Sequence, residues 1–378
     1  MSWWQDLESP DQLIALLQYL PGMGARQYLA LIRAGITPEQ LLQTTESQLR
    51  SLLPPKLLSS LLELRQRGAT SDCWLQFNKD LALLDSIGAE IITHTDDRYP
   101  QLLKDISDYP PALYVLGNSD ALSQPQLAVV GSRNMTRGGA DNAFRFSACL
   151  AQAGFTITSG LAAGIDARAH EGALSVGGHT IAVMATGIDR VYPSRHRQLA
   201  DSIIAGGGCL ITEFIPGTAP LARHFPSRNR IVSGLSLRVL VVEAAPRSGS
   251  LITARLALEQ GREVFSIPGS IHNPQSRGCH DLIRQGATLV ETASDIAEEL
   301  QGWCSHQPAL SESWPSQPHK PELDDSEQQL LDALGYDVAP LEHLAQLTGW
   351  QTEILLPVLM GLQIKGLVAQ QGAGYQRL

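Results

Sequence analysis

Six apolar runs of this chain end in glycine, serine and arginine set close together. Gly131-Ser132-Arg133 follows residues 127–130, and Ser159-Gly160, leading on to Gly164, follows 155–158. Gly187 and Arg190 follow 180–184 and precede Tyr192-Pro193-Ser194-Arg195-His196-Arg197. Beyond the run at 209–212 stands Phe225-Pro226-Ser227-Arg228-Asn229-Arg230. Arg247-Ser248-Gly249-Ser250 follows 238–243, and Pro268-Gly269-Ser270 follows 263–267. Small residues at such places let an anion approach backbone N–H groups at a helix start. A guanidinium forks onto phosphate oxygens and stacks on flat rings. Tyr192, His196 and Phe225, interleaved among them, offer faces to bases. Each feature alone has an ordinary explanation as a turn, a cap or a solvated charge. Their convergence on one sheet edge is what points to a chain of phosphates and bases.

That convergence depends on the elements that carry the residues. The runs at 127–130, 155–158, 180–184, 209–212, 238–243, 263–267 and 288–290 alternate with helical stretches of suitable crossover length. Continuous β-branched runs are what strands buried on both faces look like. The expected fold is α/β: an extended Rossmann-like, doubly wound sheet over 81–301, whose strand ends form the ligand edge. Asp166 is placed to cap the helix that follows Gly164. Residues 1–80 read as short leucine-rich helices, with Leu20-Pro21-Gly22-Met23-Gly24 turning between the first two as in a helix-hairpin-helix. Residues 302–325, rich in Pro and Ser, read as a linker. Residues 326–378 read as helices at 326–334, 340–347 and 352–364 followed by a hairpin, the order of a winged helix.

The 378 residues carry a formal charge of −10, which at first sight argues against nucleic acid. The distribution reverses that inference. Residues 127–295 hold sixteen cations, all Arg, against twelve acids, a net of +4; residues 1–126 stand at −6 and residues 296–378 at −8. The helix at 352–364 is mostly apolar and holds no cation, so an interaction or regulatory role suits the last module better than duplex reading. Deleting residues 302–378 is expected to raise nonspecific duplex affinity at low salt, as measured by gel shift. Cys73, Cys149, Cys209, Cys279 and Cys304 are scattered and odd in number, which fits reduced cytoplasmic thiols. The opening residues lack the pattern of a signal peptide, and no run is long enough to span a membrane.

Enzyme chemistries fail on the same residues. The turn after residue 130 is not G-x-G-x-x-G, and the second strand ends in Thr-Ser-Gly with no acid for a ribose. A Walker A loop needs a Lys, and residues 127–295 have none. Cys279-His280 and His224 lack a partner at metal-ligand spacing, and no G-x-S-x-G elbow exists. No catalytic residue, metal or cofactor is assigned.

Taken in order, GSR (131–133), TSGLAAGIDARAHEGAL (158–174), TGIDRVYP (186–193), FPSRNRIVSGLS (225–236), SGSLITA (248–254) and IPG (267–269) resemble the bacterial DNA processing family DprA, also called Smf. TDDRYPQLLKDISDYPPALYVLGN (95–118) is similar to the same family, and together the motifs span about half the chain. The resemblance implies sequence-independent binding of single-stranded DNA and loading of RecA recombinase during natural transformation and recombination. It also implies homodimers, a sterile-alpha-motif-type helical domain and a winged helix, and it allows single-strand-binding protein as a further partner. The family's pocket arginine falls on Arg133. Its pocket lysine after Tyr-Pro is missing here, so Arg195 or Arg197 takes that role. The FPSRNR segment places Arg228, Asn229 and Arg230 at the pocket. A nucleotide-processing Rossmann enzyme of the phosphoribohydrolase type is the alternative, although its P-G-G-x-G-T-x-x-E loop is absent. A third reading is a winged-helix transcription regulator. The helix around 251–260 is amphipathic and could pack internally or between two chains.

Overall fold

Successive residues of a strand point to opposite faces of a sheet, and the buried side chains of this protein sort accordingly. Ile181, Val183, Cys209 and Ile211 join one apolar cluster, whereas Ala182, Met184 and Leu210 join another. A sheet covered on both faces is thereby required. The computed structural model describes Leu7 and residues 9–300, 323–334 and 338–377. Two compact units divide the chain, residues 1–308 and 309–378.

The first unit opens with six helices: α1 (Pro10–Leu17), α2 (Ala25–Arg33), α3 (Pro38–Gln43), α4 (Glu46–Leu52), α5 (Pro55–Arg67) and α6 (Asp72–Ile87). Proline stands at the first turn of α1, α3 and α5, where its missing N–H costs nothing. Thr37 and Gln40 close a reciprocal capping box on α3. Leu13, Leu16, Leu17, Leu29, Leu57 and Leu61 fill the space between the helices. The boundary expected at residue 80 falls inside α6, which runs to Gly88 in the left-handed conformation. Two tyrosines bind the early helices to later segments of the unit: Tyr19 donates to the buried carboxylate of Asp80, and Tyr28 bonds His94 at 2.9 Å. The apolar core of the helices extends to Ala112 in the sheet.

The sheet has nine strands: β1 (Ala89–Thr93), β2 (Ala112–Gly117), β3 (Gln126–Val130), β4 (Thr156–Ser159), β5 (Thr180–Val183), β6 (Cys209–Thr212), β7 (Arg238–Val241), β8 (Val264–Ser266) and β9 (Thr288–Leu289). Their order is β1-β2-β6-β5-β4-β3-β7-β8-β9, with only β1–β2 and β2–β6 antiparallel. The short α7 (Gln101–Lys104) lies between β1 and β2 in the chain. The crossovers are α8 (Arg137–Gln152), α9 (Ile165–Ser175), α10 (Arg197–Ala205), α11 (His224–Leu235), α12 (Gly249–Glu259) and α13 (Arg277–Arg284), and α14 (Ala293–Glu299) follows β9. The parallel sheet starts in the middle at β3, grows outward through β6, then returns to β7 on β3's other side. That reversal opens a crevice at the carboxyl ends of β3 and β7.

The second unit comprises α15 (Asp325–Leu334), β10 (Ala339–Pro340), α16 (Leu341–Thr348), α17 (Thr352–Ile364), β11 (Val368–Gln371) and β12 (Gly374–Arg377). Its sheet order is β10-β12-β11, around a core of Leu330, Leu344, Leu355, Leu359 and Leu362. This is a winged helix. The linker expected at 302–325 lies outside the described residues except for its last three.

Candidate nucleic-acid interface

The loop from β3 to α8 places Gly131, Ser132 and Arg133 at the crevice. Thr136 caps α8, and the buried Glu243 at the end of β7 takes hydrogen bonds from the Thr136 N–H at 2.9 Å and hydroxyl at 2.5 Å. These bonds fix the loop against β7, and Ser132 N–H donates to the Glu243 carbonyl at 2.8 Å. Gly131 must stay bare, because a Cβ would sit 2.6 Å from Ile165.

A cavity of about 690 Å³ opens here. Of the residues singled out from the sequence, Gly131, Ser132, Arg133, Gly160, Tyr192 and Phe225 line it. So do Arg228 and Asn229 from α11 and the Arg247-Ser248-Gly249-Ser250 turn, where Ser248 caps α12. At the mouth the Arg133 guanidinium lies over the Phe225 ring, 5.2 Å from its centroid. Tyr192 meets the same ring edge-on, with centroids 5.7 Å apart. Arg228 forms part of the floor. It is 3% exposed, its Nη1 donates to the Val183 carbonyl at 2.8 Å, and its Nε has no partner among the described residues. Burial pulls its pKa down to about 10, against the attraction of Asp166, so it stays charged at neutral pH.

Seven of the expected residues lie off the cavity lining. Ser159 is buried and donates to the Val129 carbonyl. Gly164 lets the β4–α9 loop pass Ser132, where a Cβ would fall 2.2 Å from the Ser132 carbonyl oxygen. Gly187 is held by Thr218, and Arg190, Arg195 and Arg197 stand exposed on the loop around Tyr192 and the start of α10. Arg230 points away from the crevice: it pairs with Glu213 inside the protein, and its Nε lies 3.8 Å from Asp108. A side chain whose charge is matched in the interior leaves little for a phosphate.

Asp166, expected to cap α9, does something else. Gly164 is the N-cap, and Asp166 Oδ2 accepts from the N–H groups of Gly160 and Ala162, stiffening the cavity's β4 loop. Burial raises its pKa, while Arg228 and those N–H groups pull the other way. Sequence reasoning named Asp166 without its contact and missed Asn134, Thr253 and Gln275, which also line the cavity. Asn134 adjoins the Gly-Ser-Arg turn and was within reach of the same argument. Gln275 comes from a distant loop and carries no local signal.

Beneath this loop His170 is fully buried. Thr180 spends its hydroxyl proton on the Ile157 carbonyl, so His170 Nδ1–H donates to Thr180 at 2.7 Å, leaving Nε2 without a partner among the described residues. Burial, with Arg228 nearby, lowers its pKa to about 3. The imidazole is neutral in the fold but protonated in the unfolded chain below about pH 6.5, so acid favours unfolding. Between those values the group should remove about 1.4 kcal/mol of stability per pH unit of acidification. His170→Gln is expected to flatten the pH dependence of urea midpoints across that window, and an unchanged slope would contradict this account.

Among the described residues no cluster of ligands could hold a metal ion, and no helix is long and apolar enough to cross a membrane. The sequence matches the family described as DNA recombination-mediator protein A over residues 90–301. It also matches the DprA winged helix domain over 315–374. Protein Smf of Escherichia coli is 45% identical over 310 residues, covering 82% of this chain and 80% of that protein. The chain belongs to the DprA/Smf family. DNA processing protein DprA of Streptococcus pneumoniae is 47% identical over 206 residues, covering 54% of this chain and 72% of the relative. An X-ray structure of S. pneumoniae DprA superposes with a TM-score of 0.66 at 37% identity, covering 78% of this chain and 99% of that one. A structure of Helicobacter pylori DprA, solved to explain that protein's single-stranded DNA binding mode, gives a TM-score of 0.51 at 28% identity over 56% of this chain and 95% of that one. These matches establish the recombination-mediator family and the fold for this DprA/Smf chain.

Proposed function

We propose that the cavity holds single-stranded DNA, without sequence preference, in a non-enzymatic recombination mediator that works as a cytoplasmic homodimer and delivers the strand to RecA. The observation that carries this reading is the mouth of the cavity. There an exposed guanidinium, two aromatic rings and the N-terminal turn of α12 converge. Phosphates suit the Gly/Ser turns and Arg133, and an unstacked base suits Phe225 or Tyr192. A duplex keeps its bases stacked and could offer the mouth little more than phosphate. The reading of DNA binding in the H. pylori relative supports the same assignment. The two carboxylates nearest an enzymatic alternative are already occupied: Glu243 by Thr136, and Asp166 by two backbone N–H groups. Neither is placed as a free acid or base.

Arg133→Ala is expected to weaken binding of oligo-dT, oligo-dC and mixed sequences alike. It should also reduce the slope of log affinity against log salt by roughly one. Fluorescence anisotropy over a salt series checks both, with equal-length duplex as comparison. Unchanged affinity for all three strands would refute the site. Incubation with AMP and NAD should release no base.

A further inference from the structure

The winged-helix unit carries a surface that DNA binding leaves unexplained. Helix α17 is apolar nearly all the way round. Leu355, Leu359 and Leu362 face the core of the unit and are fully buried. On the other side Ile354 is 54% exposed, Leu356 38%, Met360 60% and Ile364 86%, with Pro357 exposed among them. A helix that reads duplex DNA would present cations or amides from such a face. Instead its exposed side offers apolar surface on the order of 500 Å², the upper end of what a lone soluble protein leaves uncovered.

Among the described residues, the unpaired charge on this helix is negative. The unit's described cations, Lys365 and Arg377, are each engaged in an ion pair, with Glu327 and Asp332. Glu353 takes part in no ion pair among the described residues and is exposed. Glu353 lies on the exposed side of α17 itself, one turn before Pro357. A second copy of this unit would set unmatched acids against acids. A polyanion would meet the same repulsion. A positively charged segment would find a carboxylate beside an apolar stripe.

We propose that the exposed face of α17 docks an amphipathic helix of a partner protein, apolar on one side and edged with Lys or Arg. The apolar stripe supplies the contact area, and the Glu353 carboxylate selects the cationic edge.

The test uses the full-length chain and three labelled 18-residue helical peptides. One has a leucine face and lysine edges, one a leucine face and glutamate edges, and one a serine face and lysine edges. The first should bind and protect the amides of residues 352–364 from hydrogen exchange. Met360→Ser with Ile364→Ser should weaken that binding at least tenfold, and Glu353→Lys several-fold. These positions are exposed, and an unchanged melting curve confirms that each variant folds. Equal binding of the serine-faced peptide, or of the glutamate-edged one, would overturn the proposal. So would protection elsewhere in the chain, or no binding at all. An oligomer dissolved by the double substitution would assign the face to a second copy instead, and loss of duplex binding in that variant would assign it to DNA.

Discussion

Arg230→Met is expected to lower stability by about 3–5 kcal/mol while leaving DNA affinity nearly untouched, because this arginine serves the interior. Its guanidinium pairs with Glu213; the Arg230 side chain is buried and that of Glu213 largely so. Methionine fills much of the volume but leaves Glu213 without its partner, a carboxylate whose pKa burial already raises. In the variant that pKa should rise further. A carboxylate titrating higher in the fold than in the unfolded chain gives stability in acid that is lost as pH rises. The deficit relative to the parent should therefore shrink toward pH 4.5 and be largest near neutrality. Urea melts at several pH values measure this. Anisotropy with oligo-dT, below the variant's melting temperature, should show affinity within about twofold and the parental salt slope. A slope reduced as in Arg133→Ala would instead place Arg230 on the strand.

The second large effect is expected at Gly160. A Cβ here would fall 1.7 Å from Arg228 Nη1 and 2.4 Å from its Cζ. The guanidinium cannot remain, and leaving costs it the bond to the Val183 carbonyl. Gly160→Ala should lose about 3 kcal/mol by combined overpacking and the broken buried bond, and oligo-dT binding should fall with the distorted floor. Arg228→Ala is costly by itself but removes the clash, so the double variant should be more stable than the sum of the two predicts, by at least about 1 kcal/mol. Strict additivity in a denaturant double-mutant cycle would show that the two positions do not meet.

Much of this architecture is legible in the sequence for a physical reason. Strands buried on both faces cannot hide their apolar runs, and β3 through β9 each lie within a residue or two of the runs read for them. Gly131, Arg133, Phe225 and the Arg247-to-Ser250 turn reach the cavity because the rule about strand ends acts locally. What could not be read is pairing across distance. Arg228 and Arg230 lie two residues apart on α11, yet one faces the cavity floor and the other meets Glu213 and Asp108 from separate parts of the chain. Composition counts both as cations, and only the fold shows where each charge is used. The same limit applies to α17, whose apolar residues have no polar interval to reveal which of them stay uncovered. Tyr28, bonded to His94 just beyond β1, likewise shows a tie between the helix-rich start and the sheet that no local pattern reveals.

The sheet's starting point has a consequence for the order of assembly. Leu127 of β3 pairs with Arg238 of β7, so the seam under the cavity joins segments with three strands and four helices between them in the chain. Closing so long a loop is slow, and β3 has a free edge until β7 arrives. During synthesis, every strand from β4 to β6 can be in place while the binding site does not yet exist. A fragment ending before β7 should have no strand affinity, and its exposed β3 edge invites pairing with other chains. On the proposed reading, DNA in the cavity would touch both sides of this late-closing joint, so it should slow unfolding and not merely shift the equilibrium.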